Sequence, residues 1–278
     1  MSASLIVLLV VTSLACQQGS SPTPVAPPGR TAGDFPSNGA TLSFALDLPA
    51  GTPPFPAVVI GHGSGEMTKE SGAFLLPFWR EQGFAVLRYD KRGVGQSTGT
   101  YRGLSAANSV TQVAELAGDM IAGVTYLQSR REIDPARIGL MGVSQAGWIM
   151  AAAAERSRDV RFFINVVGSV MPTGANIFWE NLRDRPIEDA YAQFGTFNGP
   201  AGWDPVPALR AAQSPAIWLL ADDDRLVPTR VCLPIIETLR AEGRRYSVRT
   251  YAGHGHELGG SSIYWTDVAA WLKTEGLR

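Results

Sequence analysis

"IGLMGVSQAG", residues 138–147, places a lone serine directly after an apolar run. Gly142 lies two positions before Ser144, and Ala146 and Gly147 lie two and three positions after it. A strand that passes directly into a helix must turn sharply, and small residues around the turn let neighbouring backbone segments approach closely. A serine at such a turn is held out from the edge of the sheet. The stretch therefore predicts a strand–turn–helix unit that presents the Ser144 hydroxyl.

Similar short apolar runs recur along the chain, and helix-length segments separate them. Strands that are buried on both faces have this pattern. Repeated alternation of strand and helix favours an α/β fold with one mostly parallel sheet flanked by helices. The predicted strands are 40–49 (an edge strand), 56–63, 84–90, 137–142, 161–168 and 216–222, and the predicted helices are 73–82, 105–130, 145–156, 228–243 and 261–276.

Residues 169–214 interrupt this alternation with weak periodicity and several aromatic side chains. A connection of that length between strands usually has a function. We expect it to form a short cap over the carboxyl edge of the sheet. The alternative is a decorated loop that contacts no site.

Composition excludes several classes of protein. The chain has 278 residues, a formal net charge of −1, two cysteines and three histidines. A charge near zero does not favour nucleic-acid binding, and so few cysteines and histidines favour neither a disulfide scaffold nor a metal site. We expect no cofactor.

The N-terminus carries a separate signal. The apolar run "SLIVLLVVTSLAC" (4–16) has the length of a signal-peptide core and is too short to span a bilayer. Its end, Leu14-Ala15-Cys16, resembles a bacterial lipobox, in which the cysteine is lipidated. We therefore expect a signal peptide at 1–16, an extended Pro/Gly/Ser-rich tether at 17–38 and a catalytic domain at 39–278, with the product exported to the cell envelope and anchored through Cys16. The alternatives are an ordinary cleaved signal peptide or a buried strand.

Candidate partners for Ser144 follow it along the chain. "LLADDDRLVP" (219–228) ends a strand and offers three adjacent carboxylates, and "YAGHGHEL" (251–258) follows the next strand and offers two histidines. Serine, then an acid, then histidine is the chain order of a nucleophile-elbow triad, whose G-x-S-x-G pattern Ser144 meets except at Ala146. The residues alone leave open which carboxylate and which histidine take part.

From about residue 38 onward the chain resembles α/β-hydrolases of the serine esterase and peptidase superfamily. The resemblance is carried by "GHGSGEMTKE" (61–70) and "RYDKRGVGQSTG" (88–99), together with the elbow. It implies the α/β-hydrolase fold. It also implies Asp224 as the acid, because Pro228 follows it by four residues, and His256 as the base, because it ends the stretch "AGHGH".

The same resemblance implies how the site works. Ser144 attacks a carbonyl, His256 takes its proton and Asp224 orients the imidazole. The oxyanion hole is formed by the backbone N–H groups of Gln145 and Ser64, with Gly65 the second choice for the latter. We assign structural roles to His62 and Cys232, and we expect Asp90 and Arg92 to brace their own turn, because a buried charge needs a partner.

Three functions remain open at this point. The first is hydrolysis of a small-molecule carboxylic ester, and the second is peptidase or amidase activity on the same triad. An exopeptidase would need a fixed charge for a substrate terminus, which only the cap could supply, through Glu180, Asp184, Glu188 or Asp189. The third is a non-catalytic binding protein. Nucleotide binding is not expected, because the glycines of 61–65 lack the spacing and the G-K-[ST] of a phosphate loop.

Overall fold

A single sheet of eight strands lies at the centre of the computed structural model, which describes residues 28–278. The strands are β1 (Gly29–Ser37), β2 (Ala40–Leu48), β3 (Phe55–Gly61), β4 (Ala85–Tyr89), β5 (Ile133–Val143), β6 (Phe163–Val166), β7 (Ala216–Ala221) and β8 (Tyr246–Tyr251). Their spatial order is β1-β2-β4-β3-β5-β6-β7-β8. β2 is antiparallel to β1 and β4, and the remaining neighbours are parallel. The predicted mostly parallel sheet is confirmed.

The N-terminal boundaries need correction. The predicted signal segment 1–16, with Cys16, and the first part of the tether lie outside the described residues. The prediction of a tether as far as residue 38 is wrong for residues 29–37, because they form β1 and pair along their whole length with β2. Phe35 packs into the core at 2% exposure, so a Pro/Gly-rich composition did not prevent pairing. β1 is therefore the edge strand on this side of the sheet, and β2, which the sequence predicts at the edge, is not.

The five predicted helices are present, and the insertion adds three more. The helices are α1 (Leu76–Glu81), α2 (Ser109–Gln128), α3 (Ala146–Arg156), α4 (Thr173–Glu180), α5 (Ile187–Phe194), α6 (Pro205–Ala211), α7 (Thr229–Ala241) and α8 (Trp265–Thr274), with 3-10 helices at Lys69–Leu75 and His256–Gly260. None of the helices in the described part of the chain is long and apolar enough to cross a membrane.

Two hydrophobic cores lie on opposite faces of the sheet. In β3, Val59 belongs to the core shared with α2, α3 and α7, whereas Val58 and Ile60 belong to the core shared with α1 and α8. Side chains alternate across a strand, so a strand between two helical layers must be apolar at every position. This explains why β3, β4 and β7 are buried throughout.

Sheet register brings the carboxyl ends of β3 and β5 together, and those of β7 and β8. Gly61 of β3 pairs with Gly142 of β5. Gly61 lies one residue before the "HGSG" loop, and Gly142 lies two residues before Ser144. Ala221 pairs with Tyr251 just before the acidic and histidine loops. In open parallel sheets this edge is where ligands bind.

Candidate active site

Ser144 occupies a strained turn between β5 and α3. Its φ is +58°, a left-handed value that is uncommon for a residue other than glycine and that persists only where the surroundings impose it. The Ser144 N–H donates to the carbonyl of Val166 on the neighbouring strand at 3.0 Å, and its own carbonyl accepts from the Gly147 N–H at 2.9 Å. Both sides of the Ser144 backbone are thereby held, and the turn has the geometry that the sequence predicts.

Small residues around the turn are required by packing. A Cβ on Gly142 would lie 2.3 Å from the Ala146 methyl, and one on Gly147 would lie 2.8 Å from the Asn165 side-chain nitrogen. The Ala146 methyl, where the elbow pattern has glycine, thus lies over the face that Gly142 leaves open. The departure from G-x-S-x-G is accommodated by the absence of a side chain at residue 142.

Asp224 and His256 are brought together at the ends of β7 and β8. His256 Nδ1 lies 2.8 Å from one Asp224 carboxylate oxygen and 3.1 Å from the other. Asp224 is 1% exposed, and its Oδ1 also accepts from the N–H groups of Leu226 and Val227. A carboxylate fixed in this way orients the imidazole and leaves Nε2 free to accept a proton.

The other candidate carboxylates and histidine of these two loops do not take part in the Asp224–His256 pair. Asp222 accepts from the Gly253 N–H at 2.9 Å and so fastens the histidine loop, while the Asp223 side chain is exposed. His254 faces Glu257, with 3.9 Å between Nδ1 and Oε1. Of the alternatives that the residues left open, the structure pairs Asp224 with His256.

Ser144 and His256 lie on adjoining segments. A Cβ on Gly259, in the 3-10 helix that His256 begins, would lie 2.5 Å from Val143 Cγ1, so this helix packs against the residue before Ser144. Within the described residues no hydrogen bond joins Ser144 Oγ to His256 Nε2. In free hydrolases this contact is often long and shortens when the substrate binds.

The two predicted oxyanion donors belong to segments that lie next to the nucleophile. Gln145 precedes α3, and the neighbour of Ser64 in the loop, Gly63, lies so close to Ser144 that a Cβ on it would be 4.0 Å from Ser144 Cβ. Among the residues that the structure describes, neither the Gln145 N–H nor the Ser64 N–H donates to a protein acceptor.

Lys91 is a component of this site that the sequence reasoning missed. Its side chain is fully buried, and Nζ donates to the carbonyls of Gly63 at 2.7 Å and Gly65 at 2.8 Å and to Gln145 Oε1 at 3.2 Å. Nζ also lies 4.2 Å from the centroid of the Tyr101 ring. Burial lowers the Lys91 pKa to about 7. The signal available in the sequence was its place inside "RYDKRGVGQSTG", where it stands between two residues that were assigned to bracing the turn.

The Gly63 carbonyl and the Ser64 N–H belong to one peptide group. In a trans peptide they point in opposite directions. By holding the carbonyl, Lys91 makes the Ser64 N–H point away from the ammonium.

The remaining polar residues of these loops are structural. His62 Nε2–H donates to the Tyr89 carbonyl at 2.6 Å, and burial together with the charge of Lys91 lowers its pKa to about 4, so it is neutral. Arg92 forms a buried bidentate pair with Asp119 on α2, rather than bracing its own turn. Burial raises the pKa of the Cys232 thiol to about 12.

A cavity of ≈ 280 Å³ lies beside the predicted oxyanion donors. The insertion forms part of its wall through Ile177 and Glu180 of α4, and Asn176 on the same helix donates to the Leu226 carbonyl in the acid loop at 3.1 Å. The full lining is Ser64, Gly65, Tyr101, Gly103, Leu104, Gln145, Trp148, Ile177 and Glu180. Within residues 28–278 no group of three or more His, Cys, Asp or Glu side chains could hold a metal ion.

The fold and this site define a serine hydrolase with the α/β-hydrolase fold. The profile of the prolyl oligopeptidase family matches residues 72–275. The chain belongs to the prolyl oligopeptidase family.

Known proteins of several activities resemble the chain. The thiohydrolase aneE of Aspergillus aculeatus is 29% identical over 138 residues, which are 50% of this chain and 39% of that protein. The structure of the Pyrococcus furiosus esterase Pf2001 superposes with a TM-score of 0.67 and 15% identity over 88% of this chain and 92% of that one. The structure of the acylaminoacyl peptidase of Pyrococcus horikoshii superposes with a TM-score of 0.66 and 16% identity over 89% of this chain and 42% of that one. These similarities confirm the predicted fold, and the residue roles stay predictions.

Proposed function

We propose that the protein hydrolyses carboxylic esters through an acyl-enzyme intermediate on Ser144. The observation that carries the proposal is the conjunction of a serine held at φ +58° with a neighbouring histidine whose Nδ1 is paired to a buried carboxylate. Together these supply a half-buried nucleophile on a tight turn and an oriented base.

The chemistry follows from the residues named. His256 Nε2 accepts the Ser144 proton as Oγ bonds to the carbonyl carbon, and the negative charge that develops on the carbonyl oxygen is stabilised by the N–H groups of Gln145 and Ser64. His256 then gives the proton to the departing alcohol, and water releases the acid by the same steps in reverse order. Asp224 remains ionised and stabilises the imidazolium.

Peptide or amide hydrolysis is the second candidate, supported by the family and by the likeness to an acylaminoacyl peptidase. Ester hydrolysis is favoured because the esterase likeness spans nearly all of both chains, whereas the peptidase likeness spans 42% of that longer chain.

A Ser144→Ala variant tests the assignment. We expect the wild type to hydrolyse p-nitrophenyl esters and to be labelled by a fluorophosphonate probe, and the variant to lose both while its unfolding transition is unchanged. Ser262→Ala, at an exposed serine in the loop before α8, is the control and should keep both activities. Labelling of Ser144→Ala at the wild-type level would disprove the nucleophile assignment. Faster cleavage of aminoacyl-nitroanilides than of esters would favour the peptidase.

A further inference from the structure

Glu180 places one carboxylate on the wall of the cavity beside the predicted oxyanion hole. It is the last residue of α4, and it faces the same space as Ser64 and Gln145. The sequence offered four carboxylates of the cap as candidate holders of a substrate charge. Of these, Glu188 is taken up by an exposed pair with Arg230 at 2.8 Å, and Glu180 is the one among the cavity-lining residues.

Glu180 lacks the partner that comparable carboxylates have. Its Oε1 accepts from the Asn176 side-chain nitrogen at 2.8 Å, and within residues 28–278 no cationic side chain lies within ion-pair distance of it. Among the described residues, the three buried carboxylates outside the Asp224–His256 pair all have such a partner: Asp47 has Arg88, Asp90 has Lys69, and Asp119 has Arg92. A partly buried carboxylate without a cation is costly unless a ligand supplies one.

The electrostatic surroundings of Glu180 are consistent with a carboxylate that lacks a neutralising cation. Burial raises the pKa of Glu180, while the Asn176 hydrogen bond and the charges of His256 and Arg183 oppose the rise. Lys91 is not among the residues that line the cavity, and its ammonium is already bound to loop carbonyls and to Gln145.

The rest of the cavity wall is suited to an acyl chain. Leu104, Trp148 and Ile177 contribute apolar surface, and the loop contributes backbone. The leaving alcohol must lie at His256, which protonates it and which is not part of this wall. With the alcohol there, the cavity beside Ser64 and Gln145, with Glu180 on its wall, is a space open to the acyl part of a bound ester.

We propose that Glu180 binds a primary ammonium group carried by the acyl part of the substrate, so that the protein prefers esters of amino acids or amino-alkanoic acids. This rests on the proposed ester hydrolysis at Ser144. A carboxylate that retains free acceptor sites matches the three donors of an ammonium group, and a charge-assisted hydrogen bond there would be stronger than a neutral one.

Matched pairs of ethyl esters, followed by pH-stat near neutral pH, test the proposal. Each pair replaces the ammonium by a methyl group: alanine ester against isobutyrate, β-alanine ester against butanoate, and ε-aminocaproate against heptanoate. We expect the wild type to favour the amine in at least one pair by about tenfold or more in kcat/KM, the ratio that a modest ion pair yields. Glu180→Gln should bring that ratio near one and leave the rate for the uncharged ethyl ester of the pair unaffected. Glu188→Gln, the same change at the exposed carboxylate of the cap, should keep the wild-type preference.

Each other outcome overturns a distinct statement. Equal rates for all pairs in the wild type, or an amine preference that Glu180→Gln retains, would overturn the ammonium site. An equal fall for both members of every pair in Glu180→Gln would show that Glu180 acts through His256 instead. Absence of ester hydrolysis together with absence of fluorophosphonate labelling of Ser144 would overturn the proposed function itself.

Discussion

Lys91 is an ammonium buried beneath the loop that carries Ser64, and all of its contacts are neutral groups. Two loop carbonyls and the Gln145 side chain converge on it, so it links both predicted oxyanion donors. Loss of the ammonium would leave the Gly63 and Gly65 carbonyls without a donor and free the Gly63–Ser64 peptide to rotate. Lys91 is therefore a positioning residue in the proposed mechanism.

We expect Lys91→Met, which keeps the aliphatic stem, to lower kcat for ester hydrolysis by about 10²-fold, the usual effect of losing one oxyanion donor. KM should change little, because the donors act on charge that develops in the transition state. Steady-state kinetics with a p-nitrophenyl ester measures both constants. An unchanged kcat in a folded variant would show that Lys91 supports only the packing of the loop.

The lowered pKa of Lys91 also predicts how the free energy of unfolding of Lys91→Met differs from that of the wild type as the pH changes. The ordinary pKa of 10.5 falls to about 7 in the folded protein. Between these values the unfolded chain holds a proton that the folded protein has lost, so the stability of the wild type rises with pH. The free energy of unfolding of the wild type minus that of Lys91→Met should therefore increase from about pH 7 to about pH 10. Urea denaturation across this range measures the difference, and a flat difference would contradict the shifted pKa.

At the scale of an element, strand β1 is held in the fold by its packing against aromatic side chains and by its pairing with β2. Its inward face places Phe35 against the rings of Phe44, Tyr89 and Tyr126, with centroids 5.9, 6.0 and 5.7 Å away. β1 covers the otherwise exposed edge of β2, and it carries its apolar anchor near its C-terminal end. The strand thus belongs to the folded domain.

We expect Phe35→Ala to reduce the free energy of unfolding by about 3 kcal/mol, as for other buried aromatic side chains. Ester hydrolysis by the folded variant should be unchanged, because β1 lies at the opposite edge of the sheet from β7 and β8. Asp34→Ala, at an exposed position of the same strand, is the control and should change stability by less than about 0.5 kcal/mol. Equal, small effects of both substitutions in urea denaturation would mean that β1 is not part of the cooperative unit.

At the scale of the whole molecule, the predicted export and membrane anchoring would depend on residues 1–16. We propose that Cys16 is lipidated and holds the catalytic domain at a membrane. Several acyl chains on one cysteine bury enough methylene groups, at about 0.8 kcal/mol each, for stable attachment.

The full-length protein made in a bacterial host should fractionate with membranes and be released by detergent. Cys16→Ser should be soluble or remain uncleaved, with ester hydrolysis unchanged. Cys232→Ala is the control, because that thiol is buried in the core, and it should stay in the membrane fraction. Mass spectrometry of the mature N-terminus measures the outcome directly. A mature chain that begins at Gln17 or later, without an acylated Cys16, would reduce the segment to an ordinary signal peptide.

Local patterns in the sequence determined the alternation of strands and helices and the small-residue turn at Ser144, because periodicity and side-chain size act over a few residues. They also determined the order of serine, acid and histidine, and the family resemblance singled out Asp224 and His256. Only the tertiary structure revealed the contacts of Lys91 and the place of Glu180 on the cavity wall, from which their roles are proposed, and only it showed residues 29–37 to be a strand. Lysine in a loop, glutamate on a short helix and a Pro/Gly-rich segment are each ordinary surface patterns. The contribution of a buried ammonium, an unpaired carboxylate or an edge strand depends on contacts with residues that are distant in sequence. The register of the sheet and the fold of the insertion bring those residues together.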